Sequence, residues 1–110
     1  MAAMTELNAD FGRETDNDAE VVLSKTEMQR KRTLKDIKFS DHMQSIEKIH
    51  TGTSLDIRIT INGELYGYDI PIPTGERIYP DKTVLDPSND TIKVKIFKET
   101  LFSLKSAMMR

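Results

Sequence analysis

The 110-residue chain predicts a single α+β domain in which a small antiparallel sheet, a hairpin over 54–72 plus a strand over 91–97, is joined by N-terminal helices and a C-terminal helix. Three observations point there. Leu55, Ile57, Ile59 and Ile61 alternate with Asp56, Arg58 and Thr60, the period of two that marks a half-buried strand. Asn62-Gly63 follows, the dipeptide preferred in a type I′ hairpin turn. Ser24-Lys25-Thr26-Glu27, behind apolar Leu23, has the form of a capping box that starts a helix.

The chain begins with an acidic stretch. Residues 1–20 hold Glu6, Asp10, Glu14, Asp16, Asp18 and Glu20 against Arg13 alone, with Leu7 and Phe11 as the only large apolar side chains past Met4. So little burial does not offset the entropy of ordering the backbone, which predicts a disordered acidic tail over 1–20 and one folded domain over 21–110.

The capping box opens a basic helical arm over 25–38, where Lys25, Arg30, Lys31, Arg32, Lys35 and Lys38 face only Glu27 and Asp36. Its apolar side chains, Met28, Leu34 and Ile37, do not share a face at 100° per residue, so core packing holds such a helix weakly. Ser40 and Asp41 offer a new cap, and a second helix is expected from about Asp41 to Ile49, ending at Thr51-Gly52-Thr53.

In the hairpin a two-residue turn pairs residues whose numbers sum to 125: Ile59 with Tyr66, Ile57 with Tyr68 and Leu55 with Ile70. All three pairs are apolar, so turn chemistry and pattern specify the same register. Pro71, Pro73, Gly75 and Pro80, then Asp86-Pro87-Ser88-Asn89-Asp90, predict a long ordered loop over 71–90. Thr91–Phe97 reads as a third strand with Ile92, Val94 and Ile96 inward. Lys98 to about Met109 reads as a closing helix with Phe97, Leu101, Leu104 and Met108 on one stripe.

Several function classes drop out of the sequence. Without cysteine there is no disulfide framework, thiolate metal site or cysteine nucleophile, and a cytoplasmic location is expected. No apolar run reaches the roughly 18 residues of a membrane span, so no membrane partner is expected. His42 and His50 do not have the i, i+4 spacing of a helical metal pair, and Pro73-Thr74-Gly75-Glu76-Arg77 lacks the length and lysine of a phosphate loop. No serine or acid is placed beside a base, so no enzyme activity, metal or cofactor is predicted.

Charge placement remains as the functional signal. On one sheet face the predicted fold would set Arg58, Lys93 and Lys95 beside Thr60, Leu65 and Phe97, with Lys93 and Lys95 neutralising the opposed pair Asp56 and Asp69. Together with Lys25, Arg30, Lys31, Arg32, Lys35 and Lys38 these cations predict a sequence-tolerant protein that binds single-stranded DNA or RNA through phosphates, acting in transcription or replication control. A homo-oligomer through the methionine-rich C-terminal helix is expected, since small domains with limited cores gain stability by association. The rival is a small protein-interaction adaptor or inhibitor that uses the acidic tail or the 71–90 loop.

Overall fold

A computed structural model describes residues 3–109, which fold into two four-stranded β-sheets. The strands are β1 (Thr5–Glu6), β2 (Asn8–Glu14), β3 (Asp18–Ser24), β4 (Ile46–His50), β5 (Ser54–Ile61), β6 (Glu64–Pro71), β7 (Val84–Pro87) and β8 (Thr91–Phe97). One sheet has the order β1-β6-β5-β4 and the other β2-β3-β8-β7, with β1 parallel to β6 and every other pair antiparallel. Two short helices, α1 (Glu27–Lys31) and α2 (Leu104–Met108), lie outside the sheets.

The inward rows of the two sheets form one apolar core. Ala19, Val21 and Leu23 of β3 and Ile92, Val94 and Ile96 of β8 face Leu55, Ile57, Ile59 and Ile61 of β5 and Tyr66 and Ile70 of β6, all nearly or fully buried. This is a β-sandwich, held by side chains that alternate inward and outward along each strand. The hairpin pairs Leu55 with Ile70, Ile57 with Tyr68 and Ile59 with Tyr66 around a turn in which Asn62 and Gly63 both take positive φ, as a type I′ turn requires.

The α+β layout, with N-terminal helices over a single sheet, is therefore corrected to a mostly-β sandwich. β8 spans Thr91–Phe97 as expected but joins the other sheet, pairing with β3. The acidic segment is not a disordered tail among the described residues: it contributes β1, β2 and the start of β3, while residues 1 and 2 lie outside the described range, as does Arg110. Its charges are tolerated because β2 and β3 turn Asp10 and Glu20 away from the core while Ala9, Ala19, Val21 and Leu23 turn inward.

The helical arm over 25–38 shrinks to the five residues of α1. Ser24 ends β3 opposite Thr91, so the capping box forms two residues later, between Thr26 and Gln29. Beyond Lys31 the chain leaves the helix through Asp36 at φ 63°, which buries both Leu34 and Phe39; a continuous helix could not bring both to the core. A 3₁₀ segment over Phe39–Ser45 and the strand β4 replace the second helix.

The closing helix is likewise short. Lys98 makes an isolated bridge with Ile78 and sends its ammonium inward, so α2 starts only where Ser103 caps it, and Leu101 is left 72% exposed. Within 71–90 the expected loop holds the edge strand β7, where Pro87 is admitted at the strand's end, and a 3₁₀ turn over Pro80–Lys82.

Candidate nucleic-acid interface

The predicted cations separate into several environments. Lys25, the first residue past β3, is 3% exposed; its ammonium donates to Asp90 Oδ1 at 2.8 Å and to the Ile37 carbonyl, and lies 5.4 Å from the centre of the Phe39 ring. Arg58, at the centre of the outer face of its sheet, is ion-paired with Asp69 at 2.5 Å and with Asp56 at 3.9 Å. It is Arg58, not a lysine of β8, that neutralises the opposed aspartates. Lys93 and Lys95 stand on the other sheet's outer face, the first flanked by Val22 and Asp86, the second by Glu20 and Val84 and 3.7 Å from Asp18. The expected cationic platform is thus split between two opposite faces and largely answered by the protein's own carboxylates.

On α1, Lys31 reaches back one turn to Glu27 at 3.0 Å, and with Arg32 it borders a surface that includes exposed Met28. Arg30, Lys35 and Lys38 face the other way. They line a cleft of about 460 Å³ together with Lys25, Leu34, Asp36, Ile37, Asn89 and Asp90. Among the described residues neither Arg30, Lys35 nor Lys38 is held in an ion pair.

The cleft exists because two irregular segments are fastened to each other. Phe39 N–H donates to the Asn89 carbonyl at 3.1 Å and Ser40 N–H to the Ser88 carbonyl at 3.0 Å, tying the chain after α1 to the turn between β7 and β8. Lys25 N–H reaches the Asp90 carbonyl at 3.3 Å, so Lys25 binds Asp90 through both main chain and side chain. The Lys25 hydrogen bond and charge, with a smaller contribution from Arg30, hold the Asp90 carboxyl below its usual range. Asp90 is therefore ionised at neutral pH, and the cleft carries four cations against the carboxylates of Asp36 and Asp90.

A second, larger cleft of about 630 Å³ is bordered by Phe11, Glu14, Lys98, Leu101 and Phe102. Its buried ion pair, Lys98 with Glu14, is committed to holding the surrounding chain. The Lys98 ammonium donates to Glu14 Oε2 and to the carbonyls of Thr15 and Phe102, each at 2.7 Å, while the Glu14 carboxylate also accepts from Leu104 N–H at 2.5 Å and Lys105 N–H at 3.3 Å. Burial raises the Glu14 carboxyl, but the Lys98 ammonium and the two backbone donors outweigh it and leave the group below its ordinary value. This is an anchor for the C-terminal segment.

Of the nine predicted site residues the fold gathers Lys25, Arg30, Lys35 and Lys38, and leaves Lys31, Arg32, Arg58, Lys93 and Lys95 outside the cleft. Asn89 and Asp90, which close its far wall, carried no sequence signal beyond turn composition. Among the described residues no three His, Asp or Glu side chains cluster to hold a metal, and no helix is long and apolar enough to cross a membrane. No protein-family model matches the chain, and no curated protein matches its sequence. The fold and its cleft define a small β-sandwich with a basic recess at one end of a sheet.

Proposed function

We propose that the protein is a non-catalytic nucleic-acid-binding module that holds phosphates at the cleft between α1 and the β7–β8 turn. One observation carries this: Arg30, Lys35 and Lys38 border a single recess without an ion-pair partner among the described residues, above a buried Lys25. Cations arranged this way attract phosphate oxygens and release counterions, with no dependence on base identity. Arg58, Lys93 and Lys95 take no part in the proposal, because they lie on sheet faces among Asp56, Asp69, Asp18 and Asp86.

A salt titration of binding to labelled single-stranded and duplex oligonucleotides tests the role. Affinity should fall by about 1.4 to 2.1 log units per log unit of salt for two to three single-strand phosphate contacts, against about 6 if all nine predicted cations engaged. Lys35→Glu with Lys38→Glu should abolish binding, and the absence of salt-sensitive binding by the parent protein rejects the role.

The adaptor reading keeps one specific support. Among the described residues the outer face of the β1-β6-β5-β4 sheet presents Glu6, Glu47, Asp56 and Asp69 around Arg58 alone, a surface suited to a basic protein partner. Exposed Leu101 and Met109 at the C-terminal segment are the apolar side chains on which a homo-oligomer would draw.

A further inference from the structure

We infer that the cleft receives the phosphomonoester end of a nucleic-acid strand and does not track a length of continuous backbone; this rests on the nucleic-acid role proposed above. A binder that follows single-stranded backbone needs a basic groove spanning several nucleotides, with flat side chains on which bases stack. Here Arg30, Lys35 and Lys38 converge on one recess, and the other predicted cations do not extend it. Beyond Arg30, Lys35 and Lys38, Arg32 lies on the opposite side of α1, Arg58 is held between two aspartates, and Lys95 is beside Asp18. Lys93 is isolated between Val22 and Asp86. No strip of exposed cations leads away from the recess along either sheet face among the described residues.

Charge and size agree with one terminal group. Lys25, Arg30, Lys35 and Lys38 against Asp36 and Asp90 leave two positive charges over. A terminal phosphate carries about −1.5 to −2 at neutral pH, where a backbone diester carries only one negative charge, so the monoester is the better match. The recess, about 460 Å³, lies toward the small end of the range of ligand clefts, in keeping with one terminal nucleotide. At its floor the Lys25 ammonium gives two of its three N–H bonds to Asp90 and Ile37, and the third has no partner among the described residues. That leaves a buried donor for an incoming oxygen, with Arg30, Lys35 and Lys38 to close over the other oxygens.

The test compares single strands of one sequence carrying a 5′-phosphate, a 3′-phosphate or hydroxyls at both ends, with inorganic phosphate as competitor. One of the phosphorylated strands should bind about tenfold more tightly than the hydroxyl strand, the gain expected from one or two charge-assisted hydrogen bonds. The exposed-residue variant Lys35→Gln with Lys38→Gln should erase the preference, and Lys93→Gln should keep it. Equal, salt-sensitive affinity for all three strands overturns the end-binding inference and leaves the nucleic-acid role standing. Absence of salt-sensitive binding by every strand overturns both. Displacement by inorganic phosphate at the concentration at which the phosphorylated strand itself competes identifies free phosphate as the ligand and overturns strand-end recognition.

Discussion

Lys25 and Lys98 occupy matching positions at opposite ends of one sheet: each is the first residue past one of the paired antiparallel strands β3 and β8, and each turns its ammonium inward to fasten an irregular segment. Lys25 ties Asp90 to the Ile37 carbonyl, and Lys98 ties Glu14 to the carbonyls of Thr15 and Phe102. Each also lies 5.4 Å from the centre of an aromatic ring, Phe39 for one and Phe102 for the other. A buried ammonium is stable only when its donors are largely met; here a carboxylate and carbonyls take all three donors of Lys98 and two of the three of Lys25.

The two anchors differ in what their loss leaves behind. In Lys98→Met the largely buried Glu14 carboxylate would keep its helix-end donors but lose its counter-charge, at a cost of about 3–5 kcal/mol. Lys25→Met should cost less, since the Asp90 side chain is 52% exposed and water can take over its hydration. Urea unfolding midpoints order the two variants, and adding Glu14→Gln to Lys98→Met should recover part of the loss.

Both anchor carboxyls make stability depend on acid. The Glu14 group lies below its ordinary 4.5 and that of Asp90 below 3.8, so the folded state binds these protons more weakly than the unfolded chain. Their contribution is complete at neutral pH, where both are ionised in either state. It declines once the pH drops below the ordinary values and is lost as the pH falls through the lowered ones. Thermal melts from pH 7 to pH 2 should show this acid limb, and Glu14→Gln should flatten it while lowering stability at neutrality.

Gly67 is required by its neighbour strand. A Cβ built there would stand 1.9 Å from the Ile57 carbonyl oxygen and 3.2 Å from the Arg58 Cα, both backbone atoms that cannot rotate away. Gly67→Ala should therefore force β5 and β6 apart and cost about 3 kcal/mol or more. Gly63→Ala meets open space at φ +82° and should cost only about 1–2 kcal/mol, the penalty of a left-handed conformation. Denaturant unfolding of the two variants side by side measures the difference.

Among the described residues Arg58 is the sole counter-charge of a like-charged cross-strand pair. Asp56 and Asp69 stand directly opposite one another, and Arg58, 17% exposed at its side chain, reaches both. Arg58→Gln should cost about 1.5–3 kcal/mol, the range for hydrogen bonds to charged groups. Asp69→Asn in the same chain should restore much of it by removing the repulsion, which a double-mutant cycle reads directly.

Local chemistry was enough for some elements. The alternation over Leu55–Ile61, the Asn62-Gly63 turn and the pattern of Thr91–Phe97 specify β5, β6 and β8 with their inward rows, because a period of two and a turn type are properties of neighbouring residues. Ala19, Val21 and Leu23 alternate in the same way and could have revealed β3, but the surrounding acids and a capping-box match at Ser24 masked them. β4 carried no such signal: Ile46-Glu47-Lys48-Ile49-His50 does not alternate, and it is a strand because β5 offers it an open edge.

By itself, then, the sequence determined the hairpin, its register and the concentration of cations between residues 25 and 38. Tertiary structure alone decided that β8 pairs with β3, about seventy residues away in the chain, setting Ile92 beside Leu23 and Val94 beside Val21. It also decided that Lys25 is sealed against Asp90 while Arg30, Lys35 and Lys38 stay on the surface. The physical reason is common to both: pairing partners and burial are set by contacts between distant segments, and a lysine that anchors the core has the same letter as one that meets the solvent.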